Sequence, residues 1–261
     1  MVTENWSPQR LQARGRLPVG VRDLRIVILG VGALGSILAD MLVRAGVNTL
    51  ALVDSDSLRA GNICRHTGTL CDIDKAKVHV VAQRLRQVSP TVQVAEVRES
   101  LEGTPDSVAD RLDEYDVIID CTGSDEALAV LGAAWWPIPR IFASFSMSYG
   151  ARRLFSFGSS GHCFPRGEFD KSVRPWLDHE AKIWAANGEV FEGAGCWSPI
   201  FPARDDDVAL AAAICVKELE ALVAKRPQAG RFRVYAQSIC DDGFQGFSVE
   251  ITPPGEEMVT P

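Results

Sequence analysis

The sequence has no Cys-x-x-Cys pair; its seven cysteines are scattered from Cys64 to Cys240. Four-thiolate zinc sites are built from such pairs, and disulfide scaffolds need a shorter chain that is denser in cysteine. Neither class fits 261 residues that are 46% hydrophobic. No apolar run approaches the roughly 20 residues that a membrane-crossing helix needs. The opening MVTENWSPQR holds no apolar stretch of the kind a secretion signal carries. These gaps make a reducing cytoplasm the expected setting, with no membrane partner. Positive charge is also short: Lys plus Arg is 27 against 34 for Asp plus Glu, a net charge of -7. Backbone phosphates are bound by clustered cations, so nucleic acid is a disfavoured partner.

What the chain does have is alternation of strand and helix signals. RIVIL, residues 25–29, is a β-branched run ending at Gly30 and reads as a buried strand. Ile37, Leu38, Met41, Leu42 and Ala45 then recur at helical spacing, and Gly46 stops that helix. TLALV, residues 49–53, is a second strand ending at Asp54. Residues 75–88 read as a helix with Val78, Val81, Leu85 and Val88 on one face. TVQVAEV, DVIID (116–120) and RIFASFSMS follow as strands, separated by helices over 106–114 and 125–134. This pattern predicts an α/β, Rossmann-like, mostly parallel sheet with helices on both faces.

The pattern then changes. Residues 149–158 read as a further strand. Residues 159–204 are rich in Gly, Pro and Trp, with a helix around 176–186. Residues 205–224 form a strong amphipathic helix whose acidic first turn suits the helix dipole. RFRVYAQS and GFSVEI close the fold as C-terminal antiparallel strands. The expected organisation is an arm or short helix over 1–23, one domain over 24–255 with a crossover loop at 159–204, and a tail over 256–261.

Gly30, Gly32 and Gly35 form G-x-G-x-x-G directly between a strand and a helix. Such glycines let the backbone approach a phosphate, and the helix start offers it free N–H groups. Asp54 lies about 20 residues on, where a ribose-binding acid belongs. Alone, these features favour a dinucleotide dehydrogenase, or a tight turn that binds nothing. The next stretch redirects the reading. D-S-D-S-L-R-A-G-N-I-C-R-H (54–66) and D-I-D-K-A-K-V (72–78) gather Asp56, Asn62, Arg65 and Lys77 behind the turn. A nicotinamide enzyme has no use for that set. A triphosphate does, because its charge must be met by donors and cations. Singly, Arg65 and Lys77 would read as solvated surface charge.

This combined spacing resembles the MoeB/ThiF/ubiquitin-activating superfamily over roughly residues 20–225. The resemblance implies ATP and Mg²⁺ as cofactors. It implies that Gly30, Gly32 and Gly35 form the nucleotide turn and that Asp54 holds the ribose hydroxyls. Asn62 and Arg65 would contact phosphates, and Lys77 would neutralise charge at the α-phosphate. Two positions depart from the family pattern. His66 stands where Gln is usual after the Arg; an Arg-His pair resembles bacterial relatives found with ubiquitin-like conjugation systems, and His66 itself is assigned no chemistry. After the fourth strand the family reads D-x-T-D-N, whose second Asp helps hold Mg²⁺. Here the string is Asp120-Cys121-Thr122-Gly123-Ser124, so Gly123 takes that place. Asp125, Asp56 and Asp120 remain as candidate contributors, and the metal ligand is unassigned.

The resemblance also implies an acceptor cysteine in the crossover segment. Cys196 in F-E-G-A-G-C-W-S-P resembles it in position, with a buried structural cysteine as the alternative. A thioester-forming thiolate needs an electropositive, partly exposed place, to which Arg204 or the helix start at Asp205 could contribute. Cys215 reads as core, Cys121 as a strand end, and Cys64 lies between phosphate-contact candidates. Cys163 follows His162 where relatives carry a zinc-binding pair; a single cysteine predicts no zinc. The implied activity is adenylation of the C-terminal glycine of a ubiquitin-like protein, then thioester formation on Cys196 and transfer to a conjugating enzyme. Sulfur-carrier activation in cofactor synthesis, adenylation of a modified tRNA, and a non-catalytic partner subunit remain open alternatives. A homodimer is expected, with Arg14 and Arg16 of the arm as candidate cations across the interface.

Overall fold

The computed structural model describes residues 6–187 and 203–253. Two short helical turns, α1 (Pro8–Leu11) and α2 (Val19–Arg22), precede the first strand. Five strands pair in parallel: β1 (Arg25–Leu29), β2 (Thr49–Val53), β3 (Gln93–Val97), β4 (Val117–Asp120) and β5 (Arg140–Met147). β6 (Arg153–Gly161), β7 (Arg231–Cys240) and β8 (Gly243–Glu250) extend the sheet antiparallel. The spatial order is β3-β2-β1-β4-β5-β6-β7-β8. The chain therefore leaves β1 in one direction to β2 and later returns on its other side as β4. In such sheets the crevice beyond the carboxyl ends at this reversal is where ligands bind.

The central strands β1, β2 and β4 read as apolar runs because both faces are covered. Ile26 and Ile28 point into one core and Val27 and Leu29 into the other, all fully buried. α3 (Ala33–Arg44), α4 (Lys77–Val88) and α8 (Asp205–Lys225) cover the first face. α5 (Pro105–Leu112), α6 (Asp125–Ala133) and α7 (Arg166–Asn187) cover the second. The mostly parallel sheet, the helices on both faces and the closing antiparallel strands are as the sequence implies.

Three local differences have physical causes. The expected arm is not free of the fold at its end: Leu17 and Val21 are buried in the first core, and the Leu17 N–H donates to the Ala45 carbonyl at 2.9 Å. Two apolar residues four apart are too short a signal to read as a docked turn. The strand expected at 149–158 begins at Arg153, because Tyr149–Ala151 form a 3₁₀ turn with φ of 66° at Gly150. The helix expected at 176–186 starts at Arg166, so the crossover loop placed at 159–204 is largely helical in its first half. Pro175 reads as a breaker because it lacks the N–H of an interior turn. Phe169, Val173 and Trp176, at i, i+4 and i+7, are all buried, and that apolar stripe outweighs the lost hydrogen bond. Residues 188–202, Cys196 among them, lie outside the described residues.

α8 is fixed to the sheet by a buried acid. Glu218 accepts from Arg231 Nη2 at 2.5 Å, Tyr235 Oη at 2.5 Å and Arg233 Nη1 at 3.4 Å, all on β7. α8 in turn packs on α3, the helix behind the glycine turn. Removing one member of a buried pair strands the other charge, though Arg231 keeps some water. We expect Glu218→Ala to lower unfolding free energy by about 2–3 kcal/mol, below the upper range for fully buried pairs. Urea denaturation would measure it; a change within about 0.5 kcal/mol, typical of a surface substitution, would contradict the clamp.

Candidate nucleotide site

The three glycines have distinct reasons to be glycine. Gly30 has φ of 81°, and a Cβ there would lie 2.9 Å from the backbone of Cys121 and Thr122. A Cβ on Gly35 would lie 2.0 Å from the Gly30 carbonyl oxygen. Both are required for the turn to sit against the end of β4. A Cβ on Gly32 would meet nothing within 4 Å, so this residue faces open space. Gly32 is the N-cap of α3 and no side chain caps that helix. The amides of its first turn have no intrahelical acceptors and are suited to an anion.

The backbone of Val31, at the middle of the turn, is held on both sides of its Cα. Its N–H donates to Asp54 Oδ2 at 2.9 Å, and its carbonyl accepts from His66 Nε2 at 2.9 Å. Asp54 Oδ1 takes the Asp56 N–H at 2.9 Å, so the acid orders two loops at once. Burial pushes its pKa above the usual carboxylate range, opposed by nearby Lys77 and by these two amides. His66 is 7% exposed, and its Nδ1 accepts the Gly68 N–H at 2.9 Å. With Nδ1 accepting, Nε2 carries the proton and donates to Val31; the ring is neutral in this arrangement. Burial drives its pKa down to about 4, with Lys77 reinforcing and Asp72 opposing.

Residues 57–76 fold back on themselves through an antiparallel bridge between Ser57 and Ala76. This returns the chain to Asp56, where Lys77 is held twice. The Lys77 N–H donates to the Asp56 carbonyl at 2.9 Å, and Nζ donates to Asp56 Oδ2 at 2.7 Å. Lys77 is thus a nearly buried ammonium (12% exposed) beside an acid that is 42% exposed. Asn62 and Arg65 lie on the 3₁₀ turn Ala60–Arg65. Asn62 Oδ1 accepts the Arg59 N–H at 3.0 Å, which leaves the amide NH₂ of the side chain for a ligand oxygen. Arg65 is half-buried, and burial lowers the pKa of its guanidinium. The sequence-predicted set of Gly30, Gly32, Gly35, Asp54, Asp56, Asn62, Arg65 and Lys77 therefore flanks one end of the sheet.

Asp120 stands apart from that set in its bonding. It is 2% exposed, and both oxygens are used inside the fold. Oδ1 accepts from the Thr122 N–H at 3.1 Å and Thr122 Oγ1 at 2.6 Å, and Oδ2 accepts from Ser144 Oγ at 2.9 Å. These bonds brace the loop after β4. Asp125 is exposed and paired with Arg166 at 2.9 Å. Among the described residues no three His, Cys, Asp or Glu side chains are grouped to hold a metal ion. His162 is engaged elsewhere, stacked on Trp135 at 4.6 Å. Cys121 and Cys215 are poor nucleophiles, because burial pushes both thiols well up.

A cavity of about 370 Å³ lies elsewhere, lined by Ser148, Arg152, Arg153, Glu180, Gln237 and Glu250 among others. Arg153 is already neutralised there by Glu250 at 2.7 Å and Glu180 at 3.1 Å. The glycine turn has the free helix amides and the gathered cations that a polyphosphate requires, and that chemistry decides in its favour.

A doubly wound sheet with a glycine turn at its reversal point and a ribose-type acid on the next strand defines a Rossmann-like nucleotide-binding protein. The chain belongs to the ThiF family, which matches residues 17–166. It is 36% identical over 220 residues to the ATP-dependent ubiquitin transferase-like protein Cap2 of Enterobacter hormaechei, covering 82% of this chain and 35% of Cap2. It is 35% identical over 113 residues to the sulfur carrier protein ThiS adenylyltransferase of Escherichia coli, covering 43% of this chain and 44% of that protein. The chain thus spans less than half the length of each of these two curated relatives. Its fold is similar to E. coli MccB crystallised with ATP, with a TM-score of 0.57 at 14% identity, covering 90% of this chain and 65% of MccB.

Sequence reasoning left His66 without a role; the structure makes it a strut for the turn. Its only sequence signal is its place directly after Arg65. The roles of Thr122, Ser144 and Arg166 left no signal, since each depends on contacts across the fold.

His66 generates a pH prediction. Its folded pKa of about 4 lies below the ordinary 6.5. The unfolded chain takes up this proton as pH falls below about 6.5, while the folded chain resists it until about 4. The contribution is fully present above 6.5 and is lost across that window, by about 3 kcal/mol in all. Urea denaturation between pH 7.5 and 4.5 should show a steeper loss in wild type than in His66→Gln. Equal slopes would contradict a buried neutral His66.

Proposed function

We propose that this chain is an adenylyltransferase that activates the C-terminal glycine of a ubiquitin-like protein with ATP, in the cytoplasm. The observation that carries this reading is the nearly buried Lys77 held beside the locked glycine turn. The turn and the start of α3 receive phosphate oxygens. Asp54, already fixed by two amides, has lone pairs left for ribose hydroxyls. Asn62 and Arg65 meet the phosphates, and Lys77 exchanges its bond to Asp56 for the α-phosphate. A carboxylate oxygen of the substrate attacks the α-phosphorus, the bond to the β-phosphate breaks, and pyrophosphate leaves with the electron pair. The chain's part is positioning and charge neutralisation. Mg²⁺, carried with ATP, supplies further neutralisation of the leaving group.

The printed functions of the relatives support this class: one is an ATP-dependent ubiquitin transferase-like protein and one adenylates a sulfur carrier. The longer match is to the former, and the Arg65-His66 pair agrees with it. The second step follows from Cys196. Its thiolate would attack the acyl-adenylate carbonyl, AMP would leave, and the thioester would pass to a conjugating enzyme. The sulfur-carrier reading is the second candidate, favoured by the match to the ThiS enzyme; it needs the adenylate and no thioester hand-over. In a homodimer, Arg14 or Arg16 would add a cation to the partner's site.

Pyrophosphate exchange with a candidate ubiquitin-like protein tests the first step. Arg65→Ala and Lys77→Ala should each lose a charge-assisted contact of about 1.5–3 kcal/mol, roughly 10- to 100-fold in exchange. Unchanged exchange in both variants would overturn the assignment. Cys196→Ala should keep exchange and lose any thiol-sensitive adduct. A persistent adduct would move the acceptor to another cysteine, and adenylate without adduct in wild type would favour the sulfur-carrier reading.

A further inference from the structure

His66 closes the 3₁₀ turn Ala60–Arg65 and has extended backbone, with φ of -131° and ψ of 147°. Its side chain spans from that loop to the glycine turn, where Nε2 meets the Val31 carbonyl at 2.9 Å. Nδ1 meets the Gly68 N–H, also at 2.9 Å. Neither partner can change role, since a backbone N–H only donates and a carbonyl only accepts. The side chain at position 66 must therefore offer one donor and one acceptor at once. The place is closed: His66 is nearly buried and Val31 fully so. A Cβ on Gly68 would lie 2.6 Å from Leu58 Cδ2, 3.0 Å from Val80 Cγ1 and 3.2 Å from His66 Nδ1, so the chain folds tightly over the ring.

The two bonds differ in what they join. The Gly68 bond is local, two residues along the chain, while the Val31 bond links positions 35 residues apart. The local bond shapes the loop. The long one sets where the loop stands relative to the glycine turn. The stretch it holds begins directly after Arg65, and the stretch it holds to is the turn that receives phosphate oxygens in the proposed site. The other end of the loop is fixed separately, by the bridge between Ser57 and Ala76 and by Lys77 on Asp56. Loss of the Val31 bond would thus leave Lys77 anchored and release the stretch that carries Arg65. It would also strand a buried carbonyl, whose need for a partner favours rearrangement of that stretch.

We infer that His66 is a positioning residue for the nucleotide: through its bond to Val31 it holds Arg65 at the distance from the glycine turn at which both grip one polyphosphate. His66 itself touches no ligand. The inference rests on the nucleotide site proposed above. What the position demands is a donor that reaches Val31, not an imidazole as such. Gln carries an amide nitrogen as far along its side chain as Nε2 lies along that of His, so it can donate to Val31. Asn carries an oxygen at the reach of Nδ1 and can accept from Gly68, but its amide is too short for Val31.

Calorimetric titration of the whole chain with ATP and Mg²⁺ at neutral pH compares these side chains. His66→Gln should bind within about twofold of wild type, and His66→Asn about three- to tenfold more weakly, the cost of one hydrogen bond. Residues that act through one another do not add. In the Arg65→Ala background, where the residue to be positioned is gone, His66→Asn should therefore cost less than about twofold more. In the ¹⁵N spectrum of wild type, the ring signal that His66→Gln removes should be that of a neutral imidazole protonated at Nε2, with and without ATP. Wild-type affinity in His66→Asn would overturn the inference and leave the nucleotide site standing. So would equal weakening by Gln and Asn, or a ring that is charged or protonated at Nδ1. An equal loss with and without Arg65, or a His66→Asn chain that urea denaturation shows to be unfolded, would mark a purely structural residue and overturn it too. ATP binding absent from wild type would instead overturn the proposed site, and this inference with it.

Discussion

The backbone of Val31 is pinned by Asp54 on its N–H and by His66 on its carbonyl, each at 2.9 Å. The first partner ends β2 and the second follows the 3₁₀ turn that carries Asn62 and Arg65. One residue therefore joins the glycine turn, the next strand and the cation-bearing loop. A backbone group without a partner in a buried turn costs about as much as a lost hydrogen bond, so the two side chains stabilise the turn as well as shape it. The glycines on either side complete the constraint. Gly30 and Gly35 let the turn close against the end of β4, and Gly32 leaves one side open.

The electrostatics around this residue have a consistent direction. Acids and cations alternate from Asp54 through Lys77 to Asp56, while His66 stays neutral. A positive imidazole beside Lys77 would add to the local cations at the expense of the Gly68 bond, because Nδ1 would then carry a proton. Burial keeps it uncharged. Asp120, one strand away, accepts from two hydroxyls and an amide. Polyphosphate charge would fall where the ammonium and guanidinium are concentrated, on the side of the 57–77 loop.

The parallel half of the fold was legible because its central strands are buried on both faces and read as unbroken runs such as RIVIL and TLALV, while the edge strand β3 shows as alternation. The glycine turn and Asp54 were legible because their spacing follows from backbone geometry alone. α7 was misread, since Pro175 is a local signal and the Phe169, Val173 and Trp176 stripe gains its weight only against the far face of the sheet. The bonding of Asp120 was not legible, because sequence shows an acid at a strand end and not the Thr122 and Ser144 hydroxyls that donate to it. The same limit applies to Asp125 and Arg166, which are 41 residues apart in sequence and directly paired in space.

The central claim is that the polyphosphate binds on the Val31 turn and the loop behind it. Amide hydrogen exchange with and without ATP addresses that claim directly. ATP should slow exchange at the amides of the first turn of α3 and across residues 60–77, with little change at residues 148–153 and 236–250. Protection confined to those last two stretches, around the cavity at Arg153, would contradict it.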